Sequence, residues 1–191
     1  QIDTFFRAQY IIAKFTLKGL RSQNGLHLEK ATITDAEMNL VIEDCMTDEK
    51  NKENNLSRIF RLKKKQQKNT SDKEIFHLRK VEISGFTFRM KNYSSKKTPF
   101  RGGINWNDMD IRDINVKARD LRFRNGIMSG SAQSVSFREK TGFDVREVSG
   151  DVRVGRGKTI IDDLIIKDKW SDIHLEQFMM SYRNSEAFAE F

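Results

Sequence analysis

Apolar residues in this chain follow a spaced pattern (apolar, any, apolar, any, any, apolar, any, apolar), and the pattern is written twice. The first copy runs through Leu26, Leu28, Ala31, Ile33, Ala36, Met38, Leu40 and Ile42. The second, shifted by fifty positions, runs through Phe76, Leu78, Val81, Ile83, Phe86, Phe88 and Met90. Alternation at a period of two marks strands with one buried face, and repetition along the chain marks a stacked, quasi-one-dimensional architecture.

The steps of three within the pattern constrain it further. Successive strand side chains point to opposite faces, so each three-residue step would turn the apolar set outward unless a bulge or corner absorbs one residue. Similar steps occur at Met109, Ile111, Ile114 and Val116, and around Val145 and Val148. The strands are therefore expected to be long and bent.

Strands are predicted over 13–20, 26–42, 75–90, 104–123, 127–137, 143–154, 159–167 and 173–182, with turns at Asn24-Gly25, Gly102-Gly103, Asn125-Gly126, Thr141-Gly142 and Gly155-Arg156-Gly157. Asn-Gly between alternating runs signals a type I′ hairpin, because both residues accept positive φ. An antiparallel meander follows. The chain has a single proline, Pro99, as strands that donate ladder hydrogen bonds require. Only Ile2, Phe5, Phe6 and Ala8 to Tyr10 offer a helical spacing, so one short N-terminal helix is allowed for.

The fold class is thus all-β: long, bent antiparallel strands in an open curved sheet or β-groove. Residues 1–191 form a single unit with polar loop insertions at about 46–74 and 92–99, the first expected as an inserted hairpin around Ile59 to Leu62. Gln1 in place of a starting Met suggests a piece of a longer chain, with a leader or anchor upstream.

Composition excludes some classes. The apolar fraction of 37% is that of a folded chain, and no apolar run approaches the roughly 20 residues of a membrane helix. The net charge of +8 invites a nucleic-acid reading through the run Lys63 to Lys68. However, Arg79, Lys80, Arg89, Arg112, Lys117, Arg119 and Arg122 all occupy slots between apolar residues, so a solvated outer face is the preferred reading, ahead of an acidic-lipid surface or an acidic partner. The single cysteine, Cys45, leaves the redox compartment open.

No recognisable chemistry stands out. Gly157-Lys158-Thr159 lacks the earlier glycine of a phosphate loop, Val152 standing in its place. His27, His77 and His174 fall on outward slots, with His27 and His77 equivalent in the two copies and no Cys or His cluster at ligand spacing. Asp108, Asp110 and Asp113, or Asp162 and Asp163, lack the glycine of a calcium loop. Trp106 and Trp170 are expected in core or groove-rim packing. No catalytic residue, metal or cofactor is expected.

The words Gly103-Ile104-Asn105-Trp106-Asn107-Asp108-Met109-Asp110-Ile111-Arg112-Asp113-Ile114-Asn115-Val116, then Ser136 to Phe143 and Val148-Ser149-Gly150-Asp151, resemble the amino-terminal half of TamB and AsmA-like envelope proteins of the Bacteroidetes type. That resemblance implies an inner-membrane-anchored periplasmic protein built of repeating β-groove units and associated with phospholipid movement between membranes and outer-membrane biogenesis. Its implied partners are phospholipid or another acyl-chain lipid, neighbouring β-groove repeats, and the outer-membrane assembly machinery.

A trough of apolar side chains would hold acyl chains at ~0.8 kcal/mol per buried methylene without directional bonds. The residues expected to line it are Leu26, Leu28, Ile33, Leu40, Leu78, Val81, Ile83, Phe86, Phe88, Ile114, Val116, Leu121, Phe123, Val135, Phe137, Val145, Val152 and Val154. The alternative is a scaffold that binds protein segments by adding strands to a free sheet edge.

Overall fold

The computed structural model describes residues 4–16, 25–42, 74–93, 104–181 and 186–190. They form one nine-stranded sheet in sequence order: β1 (Phe6–Lys14), β2 (Leu26–Ile42), β3 (Glu74–Asn92), β4 (Asp108–Arg124), β5 (Ile127–Glu139), β6 (Asp144–Gly155), β7 (Lys158–Asp168), β8 (Asp172–Ser181) and β9 (Glu186–Glu190). The first and last strands do not pair, so the sheet is open rather than a barrel. Each strand touches only its neighbours in the sheet, so the described residues make a single layer.

All pairs are antiparallel except one. β2 and β3 run parallel, in a register that matches each residue with the one fifty positions on, from Leu26 against Phe76 to Ile42 against Asn92. The repeat seen in the sequence is therefore a physical stack, with one copy lying on the other. This corrects the uniform antiparallel meander. A parallel pair needs a crossover rather than a tight turn, so residues 43–73 are the connection between two stacked copies. The hairpin expected within them lies outside the described residues, as do Gly102-Gly103 and the lysine run.

The short N-terminal helix is also corrected. Residues 6–14 form strand β1, antiparallel to β2, with Ile11 opposite Ile33 and Ala8 opposite Ala36. Phe6, Ala8, Ile11 and Ala13 match the slipped period-two set of β2, so cross-strand pairing overrides the weak helical spacing.

Five of the phase slips have a common cause. In Ile33-Thr34-Asp35-Ala36, Ile83-Ser84-Gly85-Phe86, Ile111-Arg112-Asp113-Ile114, Ala118-Arg119-Asp120-Leu121 and Ile161-Asp162-Asp163-Leu164, the residue before the second apolar position has positive φ, between 48° and 63°. Asp tolerates this left-handed region better than most residues because its short side chain bonds locally, and Gly lacks the Cβ that makes it costly. The ladder register shifts at Ile83/Phe86, Arg112/Asn115 and Arg119/Arg122. Each such step takes up one extra residue and returns the apolar set to the same face.

Two hairpins are tight. Asn125 and Gly126 (φ 56° and 70°) join β4 to β5, and Arg156 and Gly157 (φ 52° and 77°) join β6 to β7. Gly157 thus closes a turn between strands, and Lys158 and Thr159 begin β7.

Candidate functional site: the apolar face

Following the registers across the sheet, every expected lining residue falls on one face. Ile33, Ile83, Val116 and Val135 stand in successive cross-strand pairs and continue to Val148, Ile166 and Ile173. Leu28, Leu78 and Leu121 form a second row, and Leu26, Phe76, Phe123, Met128 and Val154 a third at the strand ends. Phe86 pairs with Ile114, Phe137 with Val145, and Val152 with Ile161. Leu40 lies opposite Met90, and Phe88 opposite both Met38 and Ile111. The sequence-predicted set is one surface.

Its centre is Leu78, Val81 and Ala118, 6–7% exposed and packed against Leu28, Ala31, Phe76, Ile83, Val116 and Leu121. Val145 is the most covered lining residue, at 2%, while Leu26 is 44% exposed. The other lining residues are half-buried. No large side chain among the described residues falls below 2% exposure. In a two-layer domain the middle of such a face would be sealed, since a sheet normally buries its apolar side against another element.

Gly130 belongs to this surface: a Cβ there would come within 2.4 Å of Leu121 Cδ2. Glu139 ends one row, opposite Ile111, and is only 3% exposed. Burial pushes its carboxyl up, but the Thr141 hydroxyl and N–H, at 2.5 and 2.7 Å from Oε2, bring it below the usual range.

The opposite face is laced with ion pairs between strands. Lys30 and Lys80 both reach Glu82, whose carboxyl their hydrogen bonds hold down to about 2. Arg7 and Arg89 meet Glu37, and Arg89 and Arg112 meet Asp110. Asp108 pairs with Lys140, Asp113 with Arg138, and Asp162 with Arg153. These aspartates therefore serve as charge partners on the outer face, where basic side chains sit opposite acids on neighbouring strands.

Of the core and groove-rim positions expected for the tryptophans, the core is excluded. Trp106 and Trp170 are 69% and 84% exposed, in the turns before β4 and after β7, so neither packs in a core. Lys169 Nζ lies 4.6 Å from the Trp170 ring centroid, and Asp168 Oδ1 accepts the N–H groups of Trp170 and Ser171, both at 2.6 Å, which fixes that turn.

The histidines come together in a way the sequence reading missed. His27 and His77 are direct register partners, with ring centroids 5.8 Å apart and planes at 80°. Glu74 joins them, one ligand atom from each of the three residues lying within 4.8 Å of the others. The signal was present in the sequence: equivalent positions in two copies become neighbours once the copies stack in parallel.

The described residues together define a single-layered, open β-sheet with an apolar face and an ion-paired face. The chain matches no family model, no curated protein and no solved structure.

Proposed function

We propose that this chain is a non-enzymatic segment of a cell-envelope protein whose apolar face carries lipid acyl chains. The observation that carries the reading is the continuity of that face: rows of Leu, Ile, Val and Phe cross from β1 to β8, and no second layer covers them among the described residues. Exposed apolar patches beyond a few hundred Å² mark binding surfaces in soluble proteins. A row of β-branched and aromatic side chains offers no directional bond, so a chain of methylenes can shift along it. Burying about ten methylenes would contribute about 8 kcal/mol before ordering costs. Headgroups would stay at the rim, in water. The TamB and AsmA-like resemblance supports this reading, and the role we propose is in the periplasm, in phospholipid transport and outer-membrane biogenesis.

Lipid extraction from the purified chain, followed by mass spectrometry, tests it. Phospholipid is expected at a stoichiometric level and is expected to be lost in Phe86→Asp and Val116→Glu. Lipid no higher than in an unrelated β-protein of similar size would contradict the reading.

A second reading rests on β1. Tyr10, Ile11 and Ile12 are 51–60% exposed, and no described strand pairs with the outer edge of β1. An unpaired edge is a template for a further strand, whether from a neighbouring β-groove repeat or from a protein segment bound during outer-membrane assembly.

A further inference from the structure

On the polar face, where the two copies begin, the geometry points to a binding site for a divalent transition-metal ion of the zinc class, formed by His27, His77 and Glu74. The inference is independent of the lipid reading, since these side chains lie on the opposite face. Two imidazoles and a carboxylate are the donor set that zinc, nickel and copper take, and zinc commonly binds three protein ligands with water in the fourth position. Here the three ligand atoms already lie within 4.8 Å of one another, so one ion can reach all of them with small side-chain adjustments.

The fold builds this site in three ways. First, the parallel register places His27 directly beside His77. Second, Gly25 has φ 109°, and a Cβ there would stand 2.3 Å from the Glu74 carbonyl oxygen, so only glycine lets the start of β2 lie against Glu74. Third, Asp120 Oδ1 is 3.2 Å from His77 Nε2. An ion taken on His77 Nδ1 would leave Asp120 on the second ring nitrogen, where a carboxylate fixes the tautomer and orientation of a metal-binding imidazole. His77 and Glu74 side chains are 16% and 22% exposed, which limits competing water but leaves access.

One competing cation is Arg122, the cross-strand neighbour of His77, and Arg124 lies opposite Glu74. The Arg122 guanidinium nitrogens are 3.7 Å from Glu74 Oε1 and 3.9 Å from Asp120 Oδ1, distances too long for tight hydrogen bonds. Neither carboxylate is held by a tight hydrogen bond from Arg122. Binding would tie together two strands far apart in sequence, and an ion held only by the folded chain adds to stability by mass action.

The test is a titration of the untagged chain, in a Cys45→Ser background, with zinc chloride alone. One saturable site is expected, with a rise in the thermal midpoint. In the proton–nitrogen NMR spectrum the imidazole signals of His27 and His77 should move and that of His174, the remaining histidine, should not. His27→Asn and His77→Asn should each weaken binding by more than the 10–100-fold that is expected for Asp120→Asn, which removes only the orienting partner. His174→Asn should change nothing. Absence of a saturable site in the folded chain, zinc-dependent shifts confined to His174, or unchanged affinity in the His27→Asn, His77→Asn double variant would overturn the inference.

Discussion

Leu78→Ala separates an open face from a closed core. Leu78 is 6% exposed, and its packing partners among the described residues lie on β2, β3 and β4, its own sheet. In a sealed core, Leu→Ala costs the transfer of the lost carbons plus a cavity that the surroundings cannot fill, about 2.7–5 kcal/mol in all. On a one-sided sheet the space opened by the substitution is continuous with the apolar surface, so Leu28, Leu121 or solvent can enter it. Only the transfer part remains, about three carbons at ~0.8 kcal/mol each, or about 2.4 kcal/mol. Urea unfolding of both proteins at neutral pH reads the difference, provided the slope with denaturant is unchanged. A loss above about 4 kcal/mol would mean an enclosed cavity, and the single-layer description would be wrong.

Further outcomes follow from the same geometry. Asp163, at φ 50° in the β7 bulge, should accept Gly without loss, while Asp163→Val should cost about 1–2 kcal/mol in the same assay. Gly25→Ala should be far more disruptive than Gly126→Ala, since a Cβ at Gly25 meets the Glu74 and Ile75 carbonyl oxygens whereas nothing lies within 4 Å of one at Gly126; thermal midpoints of the two variants decide it. Glu37, Glu82, Asp110, Glu139 and Asp168 all have carboxyls below their ordinary values, with Glu82 at about 2. Groups lowered by folding stabilise it above the unfolded carboxylate pKa of about 4. The urea midpoint should therefore be level between pH 7 and 5 and fall from pH 4 to 2, whereas a midpoint that rises on acidification would contradict these pairings.

Much of this architecture was legible because period-two alternation survives without tertiary help. The run 26–42 is predicted with the ends it has in β2, and Asn125-Gly126 turns where its φ preferences say it should. The all-β class and the shared face of the lining residues follow from the same signal. What failed did so for identifiable reasons. The direction of the β2–β3 pair depends on the crossover between the copies, and alternation is the same in a parallel and an antiparallel strand. Phe6 to Lys14 is a strand because β2 offers it a ladder, which local spacing does not reveal. Apolar-x-Asp-apolar words could have located the bulges, but aspartate there reads as a polar-face residue unless its tolerance of positive φ is considered. The His27, His77 and Glu74 cluster needed the parallel register, and so was invisible to any search for ligands close in sequence.

Face-resolved photocrosslinking tests the acyl-chain reading most directly. Phe86 and Thr87 are adjacent on β3, and strand alternation points them to opposite faces, with Phe86 paired to Ile114 on the apolar side. A benzophenone amino acid at each position, irradiated after incubation with phospholipid vesicles, should give a lipid adduct at 86 and none at 87. Equal labelling at both positions, or none at 86 with the sheet intact by circular dichroism, would contradict a lipid-carrying apolar face.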